Sequence, residues 1–221
     1  MDGNGRWAEK KGLPRFEGHR AGAAVVKEAT GCCLELGIGI LSLYTFSTEN
    51  WRRPEKEINV LMRLLQQHLK KNLPGLKKNK IRFMVSGELG KLPLFLQRQI
   101  EKAVAETEDN SRLILNLVLN YGGRQDILQA AKAIALKIKR EVLQIDEIDQ
   151  KLFAAHLYTR ELPDPDLLIR TAGDERISNF FLWQISYSEL YFTPRFWPDF
   201  KKQDLVKAVL DYQKRERRFG A

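Results

Sequence analysis

Residues 40–46 (ILSLYTF) are apolar on both faces apart from Ser42 and Thr45, and a strand of that kind is stable only where it is covered from two sides. Helix-spaced segments stand ready to cover it. Ahead of the strand, Ala21, Val25, Ala29, Cys32 and Leu36 recur near helical spacing and stop at Gly37 and Gly39, which predicts a helix over 21–36 with a glycine stop. After it, Pro54 opens a second helix with Glu55 and Glu57 in the first turn and Ile58, Leu61, Leu65 and Leu69 spaced by three or four. The pair Pro74-Gly75 predicts its end. The alternation continues with strands over 81–85, 113–119, 166–169 and 190–192, and helices over 94–107, 125–140, 151–156 and 203–217, with Gly122-Gly123 as a turn. Strands joined by helices of this length imply a mostly parallel central sheet with helices on both faces. The 221 residues are 43% hydrophobic and show no linker or repeat, so a single α/β domain over 1–221 is expected.

The chain holds 37 Lys and Arg against 28 Asp and Glu, a net charge of +9. Such a balance fits nucleic acid, an anionic membrane surface or a phosphorylated small substrate, and the positions of the arginines decide between them. No run of apolar residues is long enough to span a bilayer, and the first twenty residues are polar and Gly-rich, so a cytoplasmic protein is expected. Cys32 and Cys33 are adjacent, a spacing unsuited to a mutual disulfide or a metal site, and are read as reduced and mostly buried.

Three segments carry the unusual residues, and each falls where a parallel sheet presents its ligand site, beyond the carboxyl ends of its strands. DGNGRW at 2–7, followed by Arg15, Gly18, His19, Arg20 and Gly22, combines close-approach glycines with two fork-shaped cations, Arg6 and Arg15, in the manner of a phosphate cradle. Asp2 is an acid among those groups, and an acid there is useful when it holds a cation that bridges to phosphate, for which Mg²⁺ is the natural choice. A Gly-rich surface turn with solvated arginines is the competing reading. FSTENWRRP at 46–54 sets Ser47, Thr48, Glu49 and Asn50 beside Trp51 and Arg53; the competing reading has Ser47 or Thr48 capping the helix that Pro54 opens. In RTAGDERISNF at 170–180, Arg170, Arg176 and Ser178 converge on one anion unless Asp174 and Glu175 pair the arginines into a surface network. Glu189, in the apolar run SELYF, is a carboxylate that needs a partner or a metal when buried. Two arginine-rich anion sites beside large apolar residues suit two phosphorylated substrates with apolar bodies.

DGNGRW, FSTENWRRP, LNYGGR, RISNF and ELYF, in this order and across essentially the whole chain, resemble the cis-prenyltransferase family, and closely the bacterial undecaprenyl diphosphate synthases. The resemblance implies a Mg²⁺-dependent homodimeric enzyme that extends farnesyl diphosphate with successive isopentenyl diphosphates to a long polyprenyl diphosphate, the lipid-carrier precursor for cell-wall synthesis. It implies Asp2 and Asn50 as catalytic residues, Asp2 and Glu189 as metal-associated carboxylates, and Gly3, Asn4, Gly5, Arg6, Trp7, Arg15 and His19 around the allylic diphosphate. Ser47, Thr48, Glu49, Trp51 and Arg53 would belong to a mobile loop over the substrates, and Arg170, Arg176 and Ser178 would bind isopentenyl diphosphate. Arg218 and Gly220, flanking Phe219, match the family's C-terminal motif, which reaches the partner's site in the dimer.

The family carries a short apolar strand before DGNGRW, expected to lie outside this numbering. Ala172, Asp174 and Gln125 stand where Gly, Glu and Trp are common in the family. For the growing chain a dry tunnel is expected, with Ala23, Ala24, Leu61, Leu65 and Leu113 as candidate walls. Lys70, Lys71, Lys77, Lys78 and Lys80 have no interleaved aromatics, so they read as a solvated face or one turned to anionic lipid in a peripheral membrane contact, and no nucleic-acid partner is expected. Two alternatives are a basic nucleic-acid-binding module, against which the arginines are confined to Gly- and Asp-containing loops, and a cis-prenyltransferase-like subunit without activity of its own, against which Asp2, Asn50 and the arginines stand together.

Overall fold

Leu113–Tyr121 (β3) is buried along almost its whole length, and it takes the place such a strand must take, the middle of a sheet. A computed structural model describes residues 1–216. In it β3 lies between Ile40–Ser47 (β1) and Ile81–Ser86 (β2), parallel to both, with Leu43 opposite Leu117 and Phe83 opposite Leu115. The crossovers run through Glu55–Lys78 (α3) and Leu94–Ala105 (α4). Arg15–Glu35 (α2) precedes β1, preceded in turn by Asn4–Lys10 (α1). After β3 come Gly123–Lys139 (α5), Gln150–Ala154 (α6), the parallel pair Leu167–Arg170 (β4) and Glu189–Phe192 (β5), and Lys202–Gln213 (α7).

The expected parallel arrangement is present, but as two pieces: β1–β3–β2 and β4–β5 are not hydrogen-bonded to each other. One cavity of about 1160 Å³ takes in residues of both β1 and β4, and Met1 and Asp2 also line it. The largest core cluster joins Met62, Phe83, Leu96, Ile100 and Leu113 with Trp197, Phe200 and Leu205; a smaller one gathers Val118, Tyr121, Leu168, Phe181 and Ile185. Tyr121 is fully buried, and its hydroxyl donates to Asp126, itself 1% exposed.

Several boundaries differ from the sequence reading. α2 begins at Arg15, six residues before the predicted start, and Gly18, which lies ahead of that start, is a helical residue over which α1 packs. The segment read as a glycine loop is a helix from Asn4, entered through Gly3 at φ 90°. α3 runs through Pro74 to Lys78; an interior proline costs a helix a hydrogen bond, yet Leu73 and Leu76 on either side of it are buried and keep the last turn packed. Gly122-Gly123 is the entry to α5 rather than a free turn. Cys32 and Cys33 are buried and unpaired as expected, and burial, reinforced by its neighbour, pushes the Cys33 thiol up to about 12, far from a reactive thiolate.

Candidate active site

The first motif and the third meet although 168 residues separate them. The Asp2 backbone N–H donates to Thr171 Oγ1 at 2.9 Å, and its carbonyl accepts from Trp197 N–H at 2.9 Å. Those bonds fix a half-exposed carboxylate. Its Oδ1 accepts from Gly3 N–H at 2.8 Å, and its Oδ2 lies 3.0 Å from Arg170 Nη2. Gly3 needs its positive φ to turn the chain from this carboxylate into α1, and a Cβ there would stand 2.8 Å from the Ala172 methyl.

Arg170, at the end of β4, is the hub. Its Nη1 donates to Ser178 Oγ at 2.8 Å and to the Arg176 carbonyl, while Nη2 faces Asp2. Asp174 gathers three guanidiniums: Arg6 at 2.8 Å, Arg176 at 2.9 Å and Arg170 at 3.7 Å. Burial opposes its charge, but the Arg6 hydrogen bond and the three arginines outweigh burial and hold its carboxyl below the ordinary range. The surface-network reading therefore describes part of the arrangement, since the same arginines that would bind an anion are held in place by this acid. The loop that carries them has Ala172, Gly173, Ser178, Asn179 and Phe181 at positive φ. Strain of this kind persists where surrounding contacts over-determine the backbone. Here Ala172 N–H donates to Arg195 O at 2.6 Å and Gly173 N–H to Thr193 O at 2.9 Å.

Arg15 pairs with Glu9 and lies over Gly5. His19 Nε2 is buried without a hydrogen-bond partner, 3.6 Å from Glu57. Burial and then the Arg53 charge lower its pKa against the pull of Glu57, so the ring is neutral at physiological pH. In the second motif the capping reading applies to a different turn. Asn50 Oδ1 accepts from Ser47 N–H at 3.1 Å and closes the 3₁₀ turn Thr48–Arg52, whereas α3 is entered from Pro54. Trp51 donates to Asn120 Oδ1 at 2.7 Å and stands edge-on to Phe46. Burial opposes ionisation of Glu49, but hydrogen bonds from Asn179, its own backbone, Ser47 and Thr48 prevail and lower its pKa.

The cavity joins these groups. Asp2, Gly3, Asn4, Gly5, Arg6, Arg15, His19, Ser47, Asn50, Arg53, Arg170, Arg176 and Ser178 all line it, and so do Ala29, Leu41, Leu43, Leu65, Leu69, Phe83 and Leu115. Ala23, Leu61 and Leu65 are wall residues as expected; Ala24 and Leu113 are not, and Leu113 is fully buried core. Trp7 does not line the cavity. Its indole N–H donates to Asp199 at 2.8 Å and Lys11 covers its ring. Thr48, Glu49 and Trp51 also stand outside the wall, behind Asn50.

Glu189 is not brought to Asp2 within one chain. It sits opposite Leu167, whereas Arg170 sits opposite Phe192, which sets the two roughly 10 Å apart along the strand. Its carboxylate pairs with Arg215 at 2.8 Å. Arg218 and Gly220 lie outside the described residues. For a metal, Asp2 offers hard oxygen donors beside Arg6 and Arg170, and no group of three or more His, Cys, Asp or Glu suited to a metal occurs among the described residues. A single carboxylate supplemented by substrate phosphate oxygens is a donor set that fits Mg²⁺. Sequence reasoning missed Thr171 and Asn179. Each adjoins a residue it did identify, and Asn tolerates the left-handed backbone found at 179, but no local pattern marks either one.

The chain matches, over residues 1–220, the family model described as "Putative undecaprenyl diphosphate synthase". It is 50% identical over 220 residues to an isoprenyl transferase of Bacillus subtilis, covering all of this chain and 85% of the relative. It is equally identical to a Legionella pneumophila ditrans,polycis-undecaprenyl-diphosphate synthase described as (2E,6E)-farnesyl-diphosphate specific, covering 92% of that protein. Among solved structures it resembles lavandulyl diphosphate synthase from Lavandula x intermedia in complex with dimethylallyl diphosphate (TM-score 0.98, 38% identity, all of this chain and 95% of the other). A probable undecaprenyl diphosphate synthase from Campylobacter jejuni follows at TM-score 0.81 and 32% identity, over 91% and 93% of the two chains.

Proposed function

The chain belongs to the undecaprenyl diphosphate synthase family of isoprenyl transferases, and we propose that it condenses farnesyl diphosphate with successive isopentenyl diphosphates, with Mg²⁺, to a long cis-polyprenyl diphosphate, undecaprenyl diphosphate. The observation that carries this reading is one cavity lined both by arginines and by apolar side chains. A diphosphate head and a hydrocarbon tail require that combination.

In each condensation the allylic carbon–oxygen bond breaks, its electron pair leaving with diphosphate. The double bond of isopentenyl diphosphate supplies the pair for the new carbon–carbon bond, and a proton is then lost. Bound at Asp2, Mg²⁺ would neutralise charge on the departing diphosphate. Arg6, Arg15 and His19 line the cavity with Asp2 and would hold that group; Arg170, Arg176 and Ser178 would hold the second substrate. Preorganised donors at such positions are each worth about 3–4 kcal/mol of transition-state stabilisation. Asn50 is a neutral amide whose Oδ1 is engaged by Ser47 N–H, which leaves its NH₂ to donate. It therefore orients or polarises a diphosphate oxygen, and the diphosphate takes the proton.

The reading includes a homodimer, a cytoplasmic enzyme touching the membrane peripherally, and a product that is the lipid-carrier precursor for cell-wall synthesis. No helix among the described residues is long and apolar enough to cross a membrane. The test is incubation with farnesyl diphosphate, labelled isopentenyl diphosphate and Mg²⁺, with and without chelator, and separation of products by length. Chelator-sensitive long products are expected, and Asp2→Ala lowers kcat by about 10²–10³-fold. A near-normal kcat in that variant removes Asp2 from the chemistry.

A further inference from the structure

Among the described residues, one side chain of the loop that carries Ser178 bonds to the loop that carries Asn50, that of Asn179. Its carbonyl accepts from Gly123 N–H at 2.6 Å, and its Oδ1 accepts from Arg124 N–H at 2.9 Å, which ties it to the first turn of α5. Its Nδ2 donates to Glu49 Oε1 at 2.9 Å and to Gln125 Oε1 at 3.2 Å. The bond to Glu49 is charge-assisted, the stronger class. Asn179 follows Ser178, whose hydroxyl accepts from Arg170, and Glu49 precedes Asn50. Gly122 leaves the junction its room: a Cβ there would stand 2.7 Å from Asn179 Nδ2 and 2.8 Å from Thr48 Oγ1.

We infer that Asn179 is a positioning residue: through Glu49 and the start of α5 it sets the distance between the Arg170–Arg176–Ser178 anion site and Asn50. The inference rests on the proposed function, since it assigns the two sides of the clamp to the two halves of one reaction. Its residue type follows from the geometry. At φ 62° the backbone favours Asn or Gly, and of these Asn alone presents an acceptor to one segment and a donor to another. Gln125 belongs to the same junction, where its amide oxygen takes the second Nδ2 hydrogen.

Asn179→Asp tests the clamp without disturbing the backbone, because Asp also tolerates this conformation and keeps the acceptor toward Arg124. It replaces the donor with an oxygen facing Glu49, so the two loops repel. Misplacement of reacting groups by about 1 Å costs about 10²-fold. We therefore expect kcat to fall about 10–100-fold while the KM for farnesyl diphosphate, held by the Asp2–Arg6 segment, stays within about 2-fold. Adding Glu49→Gln reverses the hydrogen bond, with the new amide donating to Asp, and should return kcat to within about 3-fold of Glu49→Gln alone. Hydrogen exchange of the 47–53 amides, read on the unliganded protein, should speed up in the single variant and slow again in the double variant. A double variant no better than Asn179→Asp, a primer KM that rises as far as kcat falls, or unchanged exchange would each overturn the inference. If the wild-type chain elongates nothing, the proposed function fails, and the exchange comparison still decides the clamp.

Discussion

Gly18 lies on α2 facing the start of α1, and it fixes how closely the first motif approaches the third. A Cβ at this position would overlap the Asn4 carbonyl oxygen and stand 2.7 Å from its carbonyl carbon and 3.3 Å from the Ala8 methyl. Carbon atoms in contact sit about 3.5–4.0 Å apart, so Gly18→Ala must drive α1 outward by about 1 Å. Overpacking of this kind costs about 1–3 kcal/mol. The helix-propensity gain of alanine offsets about 1 kcal/mol of it. With a net loss of up to about 2 kcal/mol, the melting temperature of a chain this long falls by up to about 8 °C. The kinetic effect is larger, because Asp2 and Arg6 move with α1 relative to Arg170 and Asp174. A 1 Å displacement of a positioned group predicts a loss of about 10²-fold in kcat/KM for the allylic primer. Gly31→Ala in the same helix is the control, since nothing lies within 4 Å of its Cβ, and it should stabilise by about 0.5–1 kcal/mol. Calorimetry and steady-state elongation on the two variants decide the matter. If Gly18→Ala melts with the wild type and keeps half its kcat/KM, close approach of α1 and α2 does not set the site's geometry.

Asp126 is buried and accepts from Tyr121 Oη, Gln184 Nε2, Gln129 Nε2 and Tyr158 N–H. Asp126→Ala strands several of these donors and should cost about 3–5 kcal/mol, or about 6–20 °C in melting temperature; a loss under about 1 kcal/mol would contradict it. For His19 the folded ring binds its proton less readily than the unfolded one, because burial and the Arg53 and Arg15 charges outweigh Glu57. Its contribution to stability is complete above the unfolded pKa of 6.5 and is lost as pH falls through the lowered folded value. The wild type should therefore lose more melting temperature than His19→Gln between neutral and mildly acidic pH, and equal slopes would refute the assignment.

The order of strands and helices was legible because their periodicities are local. Residues 40–46 form the expected strand, but only Leu43 and Phe46 of them are buried, because the strand also lines the cavity. What escaped the sequence depends on contacts between distant segments. Gly18 looks like a loop glycine until α1 is seen to lie across it, and Pro74 looks like a helix stop until the burial of Leu73 and Leu76 is weighed against it. The sheet's division into two pieces depends on edge pairing, which no single strand encodes. In the site, Asp2, Arg170 and Ser178 were identifiable from residue type and position. That Trp7 bonds Asp199 and does not line the cavity was not legible, because an indole beside a phosphate motif and an indole turned to a carboxylate have the same sequence signature. The remoteness of Glu189 from Asp2 follows from the β4–β5 register alone.

The bonds from Asp2 to Arg170 and Thr171 close residues 2–171 into a loop. Contacts of such long sequence separation form late, after shorter closures have been made. During synthesis, α2, β1, α3 and β3 can assemble the hydrocarbon-lined wall as soon as residue 121 has emerged. The polar lining must wait for Ser178. A growing chain thus carries an open apolar trough for the whole time that α5, α6 and β4 are being made, and exposed surface of this kind invites aggregation. A pause in translation between β3 and β4 would lengthen that interval.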